Sequence, residues 1–332
     1  MAARHLRWLL LLLLVLVILG ISAANTGAMP LSLPMLWHAG RDSSLWQIWF
    51  TIRLPRVLLA VIVGAALALS GCVMQGLFRN PLADPGLLGI SSGAALAVAL
   101  SVVMSFSLPG ALTLYMPLLA AFIGSMVVTL IIFLLSRQGL NSLSRLLLVG
   151  IAINALCGAA VGVLSWMSND QQLRQLSLWG MGSLSQAQWP TVLVCASVVL
   201  PGMVLVQRLA RRLNLLQLGE EEAHYLGVDV PHTQRTLLVL SALLVAAAVA
   251  VSGVIGFIGL VMPHLMRYCL GGDHRWLLPS SLLSGAILLL LADTLARTLV
   301  APAEMPVGLL TSLIGGPWFL WLILRRRGGL HA

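Results

Sequence analysis

Apolar segments long enough to cross a lipid bilayer follow one another along almost the whole of this 332-residue chain. A transmembrane helix needs about 20 consecutive apolar residues, and the chain is 59% hydrophobic and only 9% charged. A water-soluble protein of this length needs far more charge to cover its surface. The sequence therefore predicts one all-α integral membrane domain over residues 1–332, a polytopic bundle of about ten transmembrane helices. The predicted spans are 7–24, 56–76, 86–106, 115–135, 143–166, 189–207, 236–254, 256–270, 276–298 and 306–324.

All 19 basic side chains are arginines, and no lysine is present. A Walker A loop needs its lysine on the nucleotide phosphates, and a Schiff-base cofactor needs a lysine amine. The chain is therefore predicted to be neither a P-loop ATPase nor a carrier of such a cofactor. We interpret the net charge of +9 as arginines that orient helices, not as a nucleic-acid surface. The four cysteines lie far apart in or beside apolar runs, which favours packing roles over a disulfide or a metal site.

The apolar run 237–272 indicates the topology. As one helix it would measure about 54 Å, against roughly 30 Å of bilayer core. Glycines at positions 253, 256 and 259 divide it, so we predict two short crossings that reverse there and have both outer ends on one side of the membrane. The positive-inside rule then places most arginines and both termini on the cytosolic side of the membrane. The arginines left outside are Arg41, Arg53, Arg56, Arg174 and Arg297.

The N-terminal segment is open to two interpretations. Arg4 and Arg7 precede a leucine-rich run and the small residues of SAANTGA, an arrangement that resembles a signal peptide. The apolar run is longer than a usual signal core, which favours a helix that remains in the protein.

A polar island, LGEEEAHYLG, interrupts the chain between the sixth and seventh predicted spans, within the longer segment 213–231. The pattern predicts two short helical pieces joined at Gly219, on the cytosolic side. The segment also holds more apolar side chains than a linker needs, namely Leu215, Leu216, Leu218, Tyr225 and Leu226. We predict a docking surface; the alternative is a loop folded back on its own bundle.

Small and polar residues mark one face of the fifth predicted span. Gly150, Asn154, Gly158 and Gly162 recur every four residues and therefore share a face, where small residues let helices approach closely. Asn154 has two interpretations, a position on a transport path or a hydrogen bond between helices. The outer segment 167–188 is predicted to hold a short amphipathic helix.

Two other functional classes are less favoured. A secondary transporter driven by protons or sodium needs functional acids near the membrane centre. Asp293 is the one convincing intramembrane acid, and Arg297, one helical turn later, is its expected partner. An integral-membrane enzyme needs histidines or acids clustered at one membrane face, whereas the acids concentrate at 220–222.

Several long motifs, in order along nearly the whole chain, resemble the FecCD-type permeases, the membrane subunits of ABC importers for iron-siderophores, haem and vitamin B12. They are RLPRVLLAVIVGAALALSGCVMQGLFRNPLADPGLLGISSGAALA (53–97), LNLLQLGEEEAHYLG, SGVIGFIGLVMPHLMRYCLGGDHRWLLP, LLLADTLARTL and EMPVGLLTSLIGGPWFLWLI. Within the family the chain looks most like the haem permeases of Gram-negative bacteria.

The resemblance implies a type II ABC importer permease that performs no bond chemistry. Two copies would form a dimer around a central path, two separate ATPase subunits would use ATP, and a periplasmic binding protein would dock outside. Alternating access would move the substrate, with haem expected first and a ferric siderophore or cobalamin as alternatives. No permanently bound cofactor is expected.

The resemblance also implies roles for individual residues. The residues implied for the ATPase coupling surface are Gly219, Glu220, Glu221, His224, Tyr225, Leu226 and Gly227. Docking of the binding protein is implied for Arg53, Arg56 and Arg297, since arginine pairs well with carboxylates. The alternatives for these arginines are headgroup anchoring or an internal pair, the latter weighing most for Arg297 because of Asp293. His264 and His274 lie in motifs shared whatever the substrate, which favours structural roles over haem ligation.

Overall fold

A computed structural model of the protein describes residues 2–27, 35, 43–104, 110–136, 143–301 and 303–326. Every regular element in these ranges is a helix, which confirms the all-α class. Arg41, predicted on the outer side, and Arg137 and Arg327, predicted on the cytosolic side, lie outside the described residues. The α-helices are α1 (Ala2–Asn25), α2 (Ser44–Ile48), α3 (Leu54–Leu77), α4 (Ile90–Val103), α5 (Met116–Ser136), α6 (Leu143–Met167), α7 (Asp170–Gly180), α8 (Trp189–Arg208), α9 (Ala210–Leu216), α10 (Glu220–Tyr225), α11 (Val230–Ser252), α12 (Ile258–Leu270), α13 (His274–Thr298) and α14 (Val307–Arg326).

Seven helical stretches in the described residues are long and apolar enough to cross a membrane. Three of the ten predicted spans are not among these seven. The span predicted at 306–324 contributes the shorter apolar stretch Val307–Trp321, and the other two are also shorter than expected. The segment predicted at 86–106 begins with a 3₁₀ turn, Pro85–Leu88, so that α4 has only 14 residues. The segment predicted at 256–270 begins at a backbone break and leaves α12 with 13 residues. A π-helical turn, Trp49–Arg53, leads into α3.

Helix α3 is the centre of the bundle, and most of its side chains are buried. Two glycine pairs let it approach its neighbours closely. A Cβ atom on Gly64 would collide with the backbone of Gly285 in α13, and one on Gly71 would collide with the backbone of Gly259 in α12. Small residues at helix crossings of this kind are typical of membrane bundles, because they allow backbones to touch.

The apolar run divides where the glycines predict. Helix α11 ends at Gly253, whose φ of 68° is left-handed, and α12 begins after Phe257, which has a φ of 67°. The outer ends of both helices lie beside segment 213–231, because Gln234 of α11 donates to Glu220 and Asp273, just after α12, accepts from Asn214. His5 at the start of α1 is 3.1 Å from the carbonyl of Leu270 and stacks on Trp276. We call this end of the bundle, which also holds segment 213–231, the predicted cytosolic end.

The predicted amphipathic helix on the outer segment is α7. Its N-cap is a reciprocal capping box formed by Asn169 and Gln172. Gln172 also donates to the carbonyl of Val102 over 3.1 Å, at the end of α4. The glycine face of α6 behaves differently from the expectation of close packing, because no described atom outside the helix lies within 4 Å of a Cβ built on Gly158 or Gly162.

Candidate functional site

The segment 213–231 folds as two short helices, α9 and α10, joined at a glycine that the backbone requires. Gly219 has φ 141° and ψ 159°, a conformation open essentially only to glycine. A Cβ there would also collide with the Glu222 carboxylate. The three glutamates that follow occupy the first turn of α10, where negative charge is favourable beside the helix N-terminus.

A second glycine ends α10. Gly227 has φ 86°, its N–H donates to the carbonyl of His224 over 2.9 Å, and the next N–H, of Val228, donates to Ala223 over 3.0 Å. This pair of hydrogen bonds is the Schellman motif, which favours glycine at the left-handed position. Asp229 then caps α11 by accepting from the N–H of His232 over 3.0 Å. Sequence-local rules thus account for the whole turn.

The segment presents an apolar and acidic surface to solvent. Tyr225 is 86% exposed, and Leu218 and Leu226 are also exposed. Glu221, Glu222 and His224 lie on the same exposed part of the segment, whereas Glu220 is half-buried and accepts from Gln234 over 3.0 Å. The expectation of exposure was wrong for Leu216, which is 3% exposed, and Leu215 is half-buried. These two leucines lie on α9, whose buried face holds the segment against the bundle.

Five charged residues meet at the opposite end of the bundle, which we call the arginine cluster: Arg53, Arg56, Asp293, Arg297 and Glu304. Arg56 holds the buried carboxylate of Asp293 with Nε and Nη2 at 2.9–3.1 Å, and donates from Nη1 to Glu304 at 2.9 Å. Nε of Arg297 lies 3.4 Å from Asp293. The expected pair of Asp293 with Arg297 is present, but Arg56 makes the closer contact, which the sequence analysis missed.

Arg53 and Arg297 cap the C-terminal end of α1. Arg53 donates to the carbonyl of Asn25 over 2.8 Å, and Arg297 donates to the carbonyls of Ala23 and Thr26 over 2.7 and 3.1 Å. The last carbonyls of a helix have no partner within the helix, and cations are favourable beside them. Arg53, Arg56 and Arg297 are only 6–7% exposed. Their part in docking a binding protein stays a prediction.

Asn154 makes the hydrogen bond between helices that is one of its two interpretations, and its place on a transport path stays a prediction. Its Nδ2 donates to the carbonyl of Gly86 over 3.2 Å, and its Oδ1 accepts from Ser92 of α4. It also lines a cavity of about 310 Å³ with Asp84 and the backbone break around Gly256. Burial raises the pKa of the Asp84 carboxyl, although the N–H of Gly86 donates to it.

Both histidines in the family motifs are buried. His274 is 1% exposed, and its Nδ1 lies 2.7 Å from Oδ1 of Asn214. His264 is 8% exposed and makes an edge contact with Trp318. These positions favour the structural roles expected for both. No cluster of three or more metal-binding side chains occurs in the part of the chain that the structure describes.

An apolar helical bundle with an exposed two-helix segment at one end is the architecture of an ABC transporter permease. The chain belongs to the FecCD transport family, whose model matches residues 11–325. It is 68% identical over 316 residues to a hemin transport system permease protein of Yersinia pestis, covering 95% of each chain. It is 41% identical over 323 residues to a vitamin B12 import system permease protein of Salmonella paratyphi A, covering 97% of this chain and 96% of the relative.

Solved structures agree with this assignment. An inward-facing metal-chelate type ABC transporter matches with a TM-score of 0.87 at 38% identity, covering 96% of this chain and 98% of that one. A chain of PsaBC from Streptococcus pneumoniae, at 18% identity and a TM-score of 0.53, shares the fold alone.

Proposed function

We propose that this permease carries haem through the bacterial inner membrane as part of an ABC importer. The observation that carries the proposal is the 68% identity, over 95% of both chains, to a protein named for hemin transport. The relative named for vitamin B12 import is much less similar, at 41%. Cobalamin and a ferric siderophore are therefore the alternative substrates of the same architecture.

The exposed surface of α10 supports a separate ATPase subunit as the partner at the predicted cytosolic end. Tyr225, Leu218 and Leu226 offer apolar anchors, and Glu221 is an exposed acid beside them. Buried aromatic and aliphatic anchors contribute most of the binding energy at such interfaces, and charges around them select the partner. ATP hydrolysis then takes place on the partner chain, and the functional complex has two ATPase subunits.

The open face of α6 supports a second copy of the permease. Ile151 and Trp166 are exposed on the face that carries Gly158 and Gly162, and a Cβ built on either glycine has no described atom within 4 Å. Two copies would enclose the transport path between them, and lipid would cover helices such as α1. The periplasmic binding protein would dock at the end that carries the arginine cluster, where Glu304 has 44% of its side chain exposed.

Transport would proceed by alternating access. Binding-protein docking outside and ATPase closure inside favour different arrangements of the bundle, and each partner contributes only the difference in its affinity for the two states. The ion-coupled alternative is supported less well. Its candidate acid, Asp293, is fully buried and held by Arg56 and Arg297, so it lacks the freedom to bind and release a cation.

Uptake into proteoliposomes tests the proposed substrate. The vesicles hold the permease with its ATPase, ATP is enclosed, and the binding protein is added outside together with haem, a ferric siderophore or cobalamin. We expect ATP-dependent uptake of haem alone. Uptake of only one of the other ligands would keep the architecture and overturn the substrate, and uptake driven by a proton gradient without ATP would overturn the class.

A further inference from the structure

The seven-residue helix α9 lies between the predicted ATPase surface on α10 and the body of the bundle. Its apolar face is buried, with Leu213 fully inaccessible to solvent and Leu216 at 3% exposure. Leu213 packs on Gly76 near the end of α3, with its methyl groups 3.0–3.1 Å from where a Cβ would stand. Apolar packing alone would hold α9 in place without fixing its position along the ends of the neighbouring helices.

Two amide side chains, Asn214 in α9 and Gln217 directly after its end, fix that position. Asn214 reaches the start of α13, where its Oδ1 accepts from the backbone N–H of His274 over 2.8 Å and its Nδ2 donates to Asp273 over 2.7 Å. Gln217 reaches the end of α3, where its Nε2 donates to the carbonyl of Gly76 over 2.6 Å. The two amides thus form hydrogen bonds with the first turn of α13 and the last turn of α3.

The contacts of Asn214 determine one tautomer of His274. Oδ1 of Asn214 accepts from the backbone N–H of His274, and Nδ1 of the His274 ring lies 2.7 Å from the same oxygen. Because an amide oxygen can only accept hydrogen bonds, Nδ1 must be the donor. Nδ1 therefore carries the ring proton. The hydrogen bonds of Arg275 and Asn214 hold the pKa of the Asp273 carboxyl well below its usual range, which keeps this acceptor ionised at neutral pH.

Helices α3 and α13, with which the two amides form hydrogen bonds, are held to each other along their lengths. Helices α3 and α13 touch at Gly64 and Gly285 in the middle of their lengths. At the far end they are joined by the ion pair between Arg56 and Asp293. A displacement of α9 therefore acts on a pair of helices that extends from segment 213–231 to the arginine cluster.

We propose that Asn214 and Gln217 are positioning residues that couple α10 to the α3–α13 pair, so that ATPase closure moves these helices together. Without the two amides, motion of α10 would reach α3 and α13 through apolar contacts and indirectly through α8 and α11, to the latter of which Glu220 is already joined by its hydrogen bond with Gln234. This inference rests on the proposed docking of an ATPase at α10, but it does not depend on which substrate is carried.

The test measures how many substrate molecules are imported per ATP hydrolysed in the reconstituted complex. For Gln217→Leu and Asn214→Leu we expect this ratio to fall about tenfold, a change equivalent to roughly 1.4 kcal/mol, while the ATPase subunit still binds. The matched control is Gln207→Leu, because Gln207 is an exposed amide at the same end that donates to the carbonyl of Arg275 over 3.3 Å. The control should keep the wild-type ratio.

A double exchange separates coupling from simple loss of stability. Asn214→Asp combined with Asp273→Asn keeps a donor and an acceptor between the two positions, and asparagine caps a helix as well as aspartate does. We expect the exchange to restore most of the ratio that Asn214→Asp alone loses. A destabilised protein would instead give fewer complexes with an unchanged ratio.

An unchanged ratio in assembled Gln217→Leu and Asn214→Leu complexes would overturn the inference. If wild-type complexes assembled with their ATPase import none of the ligands with ATP, the proposed function is overturned, and this inference is overturned with it because it rests on ATP-driven import. If they import a ligand other than haem, the ratio is measured with that ligand and the inference is tested unchanged.

Discussion

Single side chains of the arginine cluster join helices that are distant in sequence. Arg56 at the start of α3 binds Asp293 of α13 and Glu304 beyond it. Asp293 is completely buried and has two cationic neighbours. Breaking a buried ion pair leaves an uncompensated charge, which is far more damaging than the net stabilisation that the pair provides.

Asp293→Asn should therefore destabilise the permease by about 3 kcal/mol, because it leaves the buried Arg56 and Arg297 with less compensating charge. Thermal unfolding in detergent measures the loss. Asp170→Asn is the control, since Asp170 is an exposed acid at the start of α7, and its change should stay within about 0.5 kcal/mol. Equal unfolding temperatures for the two variants would contradict the importance of the buried pair.

At the scale of residues, the sequence predicted that buried charges form ion pairs better than it predicted which residues form them. The spacing of Asp293 and Arg297 by one helical turn predicted their proximity, and the structure confirms it at 3.4 Å. No spacing rule connects Arg56 with Asp293, because they are brought together by the close crossing of α3 and α13. For the same reason Asn214 and Gln217 carried no signal in the sequence.

The shape of segment 213–231 depends on glycines at both ends of α10. Gly219 has a conformation that other residues adopt only with strain, and Gly227 completes the Schellman motif. Because α10 has only six residues, it gains little from its own hydrogen bonds. Its position depends on these turns and on the buried Ala223.

Gly219→Ala should displace α10 and lower the affinity of the permease for its ATPase. The new Cβ costs on the order of 1–3 kcal/mol in backbone strain and collides with Glu222. The dissociation constant of the isolated ATPase for permease in nanodiscs measures the effect. Gly180→Ala is the matched control, since no described atom lies within 4 Å of a Cβ there. Unchanged ATPase affinity for Gly219→Ala would refute the role of this turn.

Other elements show where local pattern was sufficient. Glycines in the apolar run predicted the break between α11 and α12, and the polar outer segment predicted α7. The spans predicted at 86–106 and 256–270 came out shorter, because hydropathy does not distinguish a helix from an apolar turn buried beside it.

The two proposed partner surfaces lie at opposite ends of the molecule. Helix α13 starts beside segment 213–231 and, about 36 Å further on at 1.5 Å per residue, ends in the arginine cluster. This arrangement suits an importer that responds to one partner on each side of the membrane. The proposed orientation, with both termini in the cytosol, agrees with the excess of arginines on the side of α10.

Arg53→Glu should weaken binding of the periplasmic protein about tenfold by removing a carboxylate partner, a loss of roughly 1.4 kcal/mol. Arg53 donates to the carbonyl of Asn25 at the end of α1 and is not a member of the Arg56–Asp293 pair, so its replacement leaves that pair in place. Binding of labelled binding protein to permease in nanodiscs measures the effect. Arg79→Glu, an exposed change at the predicted cytosolic end, should bind as wild type does. Docking that is insensitive to Arg53→Glu would remove this arginine from the proposed interface.

The sequence by itself determined the class of the protein, most of its helices and the position of its exposed two-helix segment. Hydropathy, helix caps and glycine turns act over a few residues, so their effects can be predicted along the chain. Only the tertiary structure decided that Arg56 holds Asp293, that Leu216 is buried, and that Asn214 and Gln217 join α9 to α13 and α3. These contacts depend on which helices cross and at what depth, and that is set by the packing of the whole bundle.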